Sequence, residues 1–328
     1  MKLLATGGAG YVGATVTRLL LDAGHQVTVI DDLSRNDATQ IPAGAEFEQL
    51  RVHDVAQVLT PGAGFDAVLH FAGLIAAGES MAHPEWHWDN NTRASLALLD
   101  AMSEAGVDKL VFSSTAAVYG EPTELPLTET APTNPVNTYG DTKLAIDRAI
   151  TSFTRASNLG AISLRYFNVA GAHHCSDGTW IGERHSPETH IIPLALAAAA
   201  DGRKFQLFGD DYPTADGTCI RDYIHITDLA RAHLLALDAV TASEHQIFNL
   251  GNGVGFSNLQ VIDAIREVTG LPLDLEIAPR RPGDPATLFA SSSRAQTMLG
   301  WHPDKLDIRD IVADAWAFHQ HSNAATQP

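Results

Sequence analysis

The chain has 328 residues, of which 45% are hydrophobic and 18% are charged, and its formal net charge is −18. This composition is typical of a folded globular protein with one large or two smaller domains. A charge this negative would be repelled by phosphate backbones and anionic membranes, so we expect neither nucleic acid nor a membrane among its partners. A phosphate-bearing ligand would have to be held by local positive groups.

The first residues and the cysteines indicate the compartment. The stretch MKLLATGGAG becomes glycine-rich after three or four apolar residues, which is too short for the core of a signal peptide. No later apolar run reaches the length of a membrane span. Cys175 and Cys219 stand far apart and form no CxxC pair, as expected for reduced thiols. The sequence therefore predicts a cytoplasmic protein.

Short apolar runs alternate with helical patterns over residues 1–170, which indicates a parallel sheet covered by helices. From residue 171 onward the loops are longer and more polar, and the strands are scattered. We predict an α/β fold with a Rossmann-like doubly wound sheet that binds NAD in residues 1–170. A smaller mixed α/β region in residues 171–328 would bind the substrate and interlock with the sheet. Strands are predicted at 2–6, 26–31, 47–52, 66–71, 109–114 and 161–167, and the helical pattern NTRASLALLDAMSEAG ends at Gly106.

A glycine motif follows the first predicted strand and opens a helix. In TGGAGYVG, the residues Gly7, Gly10 and Gly13 have the GxxGxxG spacing of a turn that lets the backbone approach a pyrophosphate. The helix N-terminus would add free amides and a positive dipole end. Asp31, at the end of the second strand, stands where an acidic residue binds a ribose 2′-hydroxyl. It would repel a 2′-phosphate, which favours NAD over NADP, although Arg35 lies nearby.

The stretch TYGDTK places Tyr139 and Lys143 four residues apart, on one face of a predicted helix. Taken alone, the pair would be explained as well by surface packing. Together with the dinucleotide motif it resembles the short-chain dehydrogenase/reductase superfamily. That resemblance implies that Tyr139 is the acid/base, that Lys143 lowers its pKa and holds the nicotinamide ribose, and that a Ser or Thr assists. Ser113, Ser114 and Thr115 follow the fifth strand, and the superfamily's position matches Thr115.

Longer segments make the resemblance more specific. FAGLIAAGES, RYFNVAGAHH, FGDDYPTADGTCIRDYIHITDLA, NLGNGVGFS and APRRPGD are similar to segments of the UDP-glucose 4-epimerase family, and the similarity runs nearly from end to end. It implies that NAD, held tightly, oxidises a UDP-sugar at C4, that a 4-keto intermediate turns over in the site, and that the hydride returns to the other face. It also implies a homodimer that pairs helices at about 90–106 and 139–157. Small and aliphatic side chains suit such contacts at Ala94, Leu98, Ala101, Ala145, Ile146 and Ala149.

The resemblance assigns ligand contacts residue by residue. It implies NAD contacts at Gly7, Gly10, Tyr11, Val12, Gly13, Asp31, Asp32, Leu33, Asp54, Val55, Phe71, Ala72, Gly73, Asn90, Ser113, Ser114, Tyr139, Lys143 and Tyr166. It implies substrate contacts at Thr115, Asn168, His190, Ile191, Gln206, Phe208, Arg221, Tyr223, Arg281, Asp284 and Leu288. Arg221 and Arg281 are the expected diphosphate ligands, since guanidinium suits phosphate oxygens.

Two positions depart from the family pattern: Ile75 stands where a lysine is frequent, and His190 where an asparagine is common. One stretch contains five side chains of types that bind metals: His173, His174, Cys175, His185 and His190. Its spacing fits no zinc pattern, so we expect no metal.

Three alternatives stay open to different degrees. A nucleotide-sugar dehydratase is disfavoured because Thr115 is followed by Ala116 and Ala117, which cannot act as acid or base. A non-catalytic NAD-binding regulator is disfavoured because Tyr139 and Lys143 are both present. An epimerase of UDP-N-acetylglucosamine or another UDP-sugar stays open, because Leu288 is smaller than the aromatic residue that closes the pocket in narrow-range relatives.

Overall fold

A computed structural model gives the fold and describes residues 1–281 and 284–326. The α-helices are α1 (Tyr11–Asp22), α2 (Ala77–Ala82), α3 (Pro84–His87), α4 (Ala94–Ala105), α5 (Thr138–Ala156), α6 (Ile191–Ala200), α7 (Ile226–Ala239), α8 (Asn258–Thr269), α9 (Ser293–Leu299) and α10 (Ile308–Thr326). A π-helical turn spans Trp88–Arg93, and 3₁₀ turns span Ala38–Gln40, Val52–Gln57 and Ala116–Tyr119.

The strands are β1 (Lys2–Thr6), β2 (Gln26–Asp31), β3 (Glu46–Gln49), β4 (Ala67–His70), β5 (Lys109–Thr115), β6 (Gly160–Tyr166), β7 (Asn168–Ala170), β8 (Ala172–His174), β9 (Trp180–Gly182), β10 (Phe205–Phe208), β11 (Ile220–His225), β12 (His245–Leu250), β13 (Gly255–Ser257), β14 (Leu275–Ala278) and β15 (Thr287–Leu288). Seven of them form a parallel sheet in the order β3-β2-β1-β4-β5-β6-β12. The first six follow the order of a doubly wound dinucleotide-binding sheet, whose winding reverses between β1 and β4. The predicted fold class is confirmed.

Both faces of the sheet are covered, because successive side chains of a strand point to opposite faces. Leu3 and Ala5 of β1 pack with α1 and α7 on one face. Leu4 packs with α4 and α5 on the other. This second layer also buries four of the side chains that the sequence suggested for contacts between two chains: Ala94, Leu98, Ala101 and Ile146. That suggestion was wrong for these four residues, because each fills the core of its own chain.

The chain after residue 170 contributes to both parts of the molecule. Its β12 and α7 complete the central sheet and one of its helical layers. Its other elements build a smaller unit, in which β11 pairs with β7, β13 and β15 while α6, α8 and α10 share one apolar cluster. Because β7 begins two residues after β6 ends, this unit starts at the carboxyl edge of the sheet, where α/β folds bind ligands.

Local differences from the sequence prediction have simple causes. The third strand was expected at 47–52 but ends at Gln49, because the chain turns into the 3₁₀ segment Val52–Gln57. Helix α4 does end at Gly106, whose φ of +73° is in the left-handed region that glycine tolerates. Within the described part of the chain, no helix combines the length and the apolar character that crossing a membrane requires.

Candidate active site

The glycine turn between β1 and α1 is packed so tightly that side chains would not fit. Gly7 has a φ of +72°, and a Cβ there would lie 2.5 Å from the backbone nitrogen of Ala72. A Cβ at Gly13 would lie 2.2 Å from the carbonyl oxygen of Gly7. Helix α1 begins at Tyr11, its N-cap residue Gly10 has no side chain to cap it, and its first turn has no acidic residue. Its first amides therefore have no intrahelical acceptor and can bind an anion, as a pyrophosphate requires.

Asp31 lies directly beside this turn. It is 7% exposed, and its carboxylate accepts hydrogen bonds from the amides of Ala9, at 3.1 Å, and Leu33, at 2.9 Å. Burial raises the pKa of Asp31, and these two amides oppose the shift. Arg35 forms an ion pair with Glu79 at 2.6 Å, so its charge is engaged outside the turn. This arrangement fits a ribose without a 2′-phosphate.

The remaining expected cofactor residues surround the same edge of the sheet. Asp32 accepts a hydrogen bond from the amide of Ser34 at 2.9 Å, and the amides of Phe71 and Ala72 bind the carbonyl of Thr6. Tyr11 is turned toward the second unit, where its hydroxyl donates to the carbonyl of Gly171 at 2.7 Å. Of the others, Asp54 is exposed, Val55 is buried, and the half-buried ones are Val12, Leu33, Gly73, Asn90 and Tyr166.

Lys143 is buried beside the end of β5. Its side chain is 3% exposed, and its ammonium donates to the carbonyl oxygen of Ser113 at 3.0 Å and lies 4.8 Å from the ring centroid of Phe112. Burial lowers the pKa of Lys143 to about 8, with Asp147 opposing the shift. A Cβ at Gly73 would lie 3.4 Å from this ammonium, so the loop after β4 passes directly over it.

Burial raises the pKa of Tyr139, and the neighbouring Thr115 hydroxyl opposes the shift. The sequence reasoning expected Lys143 to lower the pKa of Tyr139. That expectation does not hold for the groups of the chain itself, because the ammonium is directed to the Ser113 carbonyl and burial dominates. A positive charge from bound NAD⁺ is the contribution that would favour the phenolate.

The structure separates the three hydroxyl candidates after β5. Ser114 donates to the carboxylate of Asp147 at 3.2 Å, and Ser113 pairs with the His233 ring at 3.2 Å. Thr115 is the candidate whose hydroxyl lowers the pKa of the Tyr139 phenol, and it accepts a hydrogen bond from the amide of Ala117 at 3.2 Å. The arrangement thus brings Thr115, Tyr139 and Lys143 to one edge of the sheet.

Sequence reasoning missed several residues that position this group. Asn91, next to the predicted Asn90, binds the amide and carbonyl of Leu74 at 2.7 and 3.0 Å and the Thr142 hydroxyl at 3.1 Å. It thereby ties the loop after β4 to α5. Asp147 forms a buried ion pair with Arg165 at 2.9 Å. The available signal was the continued i, i+4 spacing, since Asp147 follows Lys143 by four residues.

His87 was also missed. Its ring is fully buried and lies edge-on to the Tyr139 ring, with 6.4 Å between the centroids. Burial lowers the pKa of His87, although Glu79 opposes the shift. No spacing rule would have found it, because the contact forms through the packing of α3 against α5.

The expected substrate residues fall into separate groups. Asn168, His190, Ile191 and Tyr223 line one small cavity of about 20 Å³. Tyr223 of β11 is paired in register with Asn168 of β7. His190 is hydrogen-bonded to Glu183, and a positive charge on its ring is favoured: burial alone would lower the pKa of His190, but Glu183 raises it.

A second group lies along the neighbouring strands. Arg221 donates to the carbonyl of Pro285 at 2.7 Å and forms an ion pair with Asp284 at 3.6 Å. Leu288 is paired in register with Arg221 and packs against the apolar cluster that contains Ala116.

A third group lies on β10 and on the segment that follows β14. Arg281 stacks over the ring of Phe208 with 4.0 Å between the guanidinium carbon and the ring centroid, and Gln206 is exposed on the same strand. Ile75, at the position that departs from the family pattern, is 44% exposed.

Known proteins resemble the chain along its whole length. Residues 3–251 match the NAD dependent epimerase/dehydratase family. A UDP-glucose 4-epimerase of Corynebacterium glutamicum is 54% identical over 319 residues, which are 97% of this chain and 95% of that protein. A crystal structure of a UDP-glucose 4-epimerase superposes with a TM-score of 0.93 at 44% identity and covers 100% of both chains.

The UDP-glucose 4-epimerase of Stenotrophomonas maltophila, solved with bound NAD and formylated UDP-arabinopyranose, has a TM-score of 0.93 at 39% identity over 99% of this chain and 100% of that one. The chain belongs to the NAD dependent epimerase/dehydratase family, and the relatives in that family that are 54% and 50% identical to it are UDP-glucose 4-epimerases.

Proposed function

We propose that the chain is an NAD-dependent UDP-glucose 4-epimerase, which interconverts UDP-galactose and UDP-glucose through a 4-keto intermediate. One observation carries the proposal. Tyr139 lies one helical turn from the buried ammonium of Lys143 and beside Thr115, whose hydroxyl lowers the pKa of Tyr139, at the sheet edge that also holds the glycine turn.

Each residue of the site would have a separate role in this reaction. Bound NAD would accept the hydride from C4 of the sugar and return it. Tyr139 would hold and release the proton of the 4-hydroxyl group, and the neighbouring Thr115 hydroxyl would donate a hydrogen bond to the phenolate. Lys143, fixed by the Ser113 carbonyl, would bind the nicotinamide ribose, while Asp31 and the first amides of α1 would hold the adenosine ribose and the pyrophosphate.

Local positive groups at the substrate end would hold the diphosphate, which the net charge of −18 would otherwise repel. Arg221 and Arg281 would bind the diphosphate, and Asp284 the uridine ribose. The Arg221 side chain is already held by the Pro285 carbonyl, so little conformational freedom would be lost when it binds. The residues around Asn168 and Tyr223 would contact the uridine end, and the small cavity between them would have to widen to admit it.

We further propose a homodimer in the cytoplasm. Trp88 and Leu96, on the face of the π-helical turn and α4 that looks away from the core, are 43% and 38% exposed. Exposed apolar side chains of this size suit contact with a second chain. Cys175 and Cys219 are both free, which suits a reducing compartment. Light scattering at micromolar concentration tests the dimer, and a monomeric mass would contradict it.

The direct test of the activity is to incubate purified protein with UDP-galactose and measure UDP-glucose by a coupled dehydrogenase. We expect turnover without added NAD, because each catalytic cycle would restore the cofactor and would not require its dissociation from the protein. Denatured protein should release nicotinamide dinucleotide. Bound NAD without any turnover would support the non-catalytic regulator instead.

A further inference from the structure

Four side chains converge on the loop between β9 and α6. Glu183, His185, Glu188 and His190 each direct one ligand atom to a common region, and these four atoms all lie within 4.8 Å of one another. The sequence spacing gave no zinc pattern, because the two histidines lie five residues apart on an irregular loop and the two glutamates were not included. The fold supplies the convergence that the spacing does not show.

The distances fit one small cation. His185 Nδ1 lies 3.0 Å from Glu183 Oε1 and 3.9 Å from Glu188 Oε1, and His190 Nδ1 lies 3.7 Å from Glu188 Oε1. Metal–ligand bonds of about 2.0–2.2 Å in a tetrahedron place the ligand atoms roughly 3.3–3.6 Å apart. These three separations bracket that range, whereas His190 Nδ1 and Glu183 Oε1 are in direct hydrogen-bond contact and would move apart around an ion. The two imidazole rings are inclined by 65°, so they do not stack and both can face the same point.

Hydrogen bonding and ion pairing satisfy His190 but leave another imidazole nitrogen of this cluster without a partner. His185 Nδ1 is buried, yet it has no hydrogen-bond partner although the Glu183 carboxylate is close. Arg184 does not neutralise the two glutamates, because its guanidinium stacks on the Phe318 ring with 5.0 Å to the centroid. Among the described residues, the ion-pair partners of Glu183 and Glu188 are His185 and His190. Two carboxylates and two neutral imidazoles would balance a divalent cation.

The surrounding backbone holds one ligand in place. The carboxylate of Glu188 accepts hydrogen bonds from the amides of Thr189, at 2.7 Å, and His190, at 2.8 Å. Such outer contacts are what orient carboxylates in metal sites. Glu183 is also the most buried ligand, with a side chain that is 7% exposed.

We propose that Glu183, His185, Glu188 and His190 form a structural Zn²⁺ site. Two imidazole nitrogens and two carboxylate oxygens are ligands that zinc takes, and a set of four protein ligands is the closed form of a structural site. The position of this site in the fold indicates what the ion would do. Glu183 and His190 line the small cavity with Asn168 and Tyr223, so the ion would fix the loop that forms one wall of the proposed uridine pocket.

Metal content tests this proposal independently of activity. Tag-free protein is stripped with a chelator, loaded with Zn²⁺ and desalted, and its zinc is measured by plasma mass spectrometry. We expect about one tightly held ion per chain. Cobalt loaded in its place should give the intense visible absorption of a tetrahedral site. An absence of retained zinc, or a weak octahedral cobalt spectrum, overturns the proposal even where variants fail to fold.

Variants then locate the ion. His185→Ala and Glu188→Gln should each weaken Zn²⁺ binding, measured by calorimetric titration, at least about tenfold. His174→Ala is the matched control, because His174 is an exposed histidine that stacks on Trp180 outside the cluster, and its zinc affinity should equal that of the wild type. Zinc retained equally by all three variants would show that the ion binds elsewhere, which contradicts the assignment. Epimerase activity enters none of these readouts, so their failure leaves the proposed function untouched.

Discussion

The cofactor end and the substrate end of the molecule are built in different ways. At the cofactor end, a single turn after β1 meets the loop after β4, and main-chain atoms make the decisive contacts at Gly7 and Gly13. At the substrate end, the expected ligands come from β7, the loop before α6, β10, β11 and the chain around β15. Their side chains meet through strand pairs such as β11 with β7 and with β15.

This difference explains what each end can tolerate. A binding turn made of backbone accepts few substitutions, since any added side chain collides with main-chain atoms. A pocket made of side chains from distant segments can change one ligand at a time, as the histidine at position 190 illustrates. Loops carried on a rigid scaffold are where specificity commonly varies. We therefore expect few substitutions at the cofactor end to be tolerated, whereas single substitutions at the substrate end should change which sugars are accepted.

The largest effect is expected at Tyr139, where the two ends meet. Tyr139→Phe removes the phenol hydroxyl beside Thr115 but keeps the ring that packs against His87. Loss of a general acid/base typically costs roughly 10²–10⁴-fold in rate. Turnover of UDP-galactose should fall by that factor, while the NAD released from denatured protein stays equal to that of the wild type. A near-normal rate in the variant would remove Tyr139 from the mechanism.

The two ends also differ in how much of them the sequence could predict. The sheet, its six first strands and the turn at Gly7–Gly13 follow from local patterns of apolar residues and glycines, which is why the strand positions were nearly right. The His87 contact with Tyr139 depends on how α3 packs against α5, and the four-residue cluster around Glu183 depends on a loop. Neither arrangement has a periodic signature in the sequence. Buried side chains that lie far apart in the chain need the fold before they can be placed.

Leu288 tests whether the substrate end is adjustable. This side chain is half-buried beside the cluster of Ala116 and Phe167 and has no hydroxyl group. We expect UDP-galactose and UDP-glucose as main substrates, with slower turnover of UDP-N-acetylglucosamine. Leu288→Tyr should suppress the latter alone by about 10–200-fold, the usual discrimination of one side chain in an apolar pocket. Comparing kcat/KM for both sugars in both proteins decides it: equal losses, or no N-acetyl turnover in the wild type, would show that Leu288 is not the gate.

Gly13 tests whether the cofactor end is intolerant. A Cβ at this position would lie 2.2 Å from a backbone oxygen and 2.9 Å from the Cα of Gly8. Overpacking typically costs about 1–3 kcal/mol, and backbone atoms cannot move aside as side chains can. Gly13→Ala should weaken NAD binding by up to about 100-fold. Gly78→Ala is the control, because a Cβ there meets nothing within 4 Å, and it should retain full NAD content. Equal NAD content in both variants would contradict the prediction.

Two neighbouring arginines offer a matched pair at the substrate end. Arg281 stacks over Phe208, whereas Arg280 stacks over Tyr212 and forms an exposed ion pair with Asp211. If Arg281 binds the diphosphate, Arg281→Ala should weaken UDP binding about tenfold, the value of one charge-assisted hydrogen bond. Arg280→Ala should change it little, since exposed ion pairs contribute about 0–1 kcal/mol. Calorimetric titration with UDP measures both, and a larger loss at Arg280 would reverse the assignment.

The smallest effect concerns the buried ammonium that joins the two ends. Burial lowers the pKa of Lys143 to about 8 in the folded chain, while a lysine in the unfolded chain titrates near 10.4. The unfolded state therefore binds more protons between these values, so the free energy of unfolding contributed by this group rises with pH across that window. Below about pH 8 the cost of burying the charge is fully present, and Lys143→Met should be more stable than the wild type. That advantage should shrink as the pH rises from 8 toward 10. Urea unfolding of both proteins at pH 7 and pH 9.5 measures the difference, and exposed Lys204→Met controls for the loss of a lysine elsewhere. A stability gap that widens with pH would mean that the ammonium is stabilised by its site, and Lys143 would then be held charged by the protein alone.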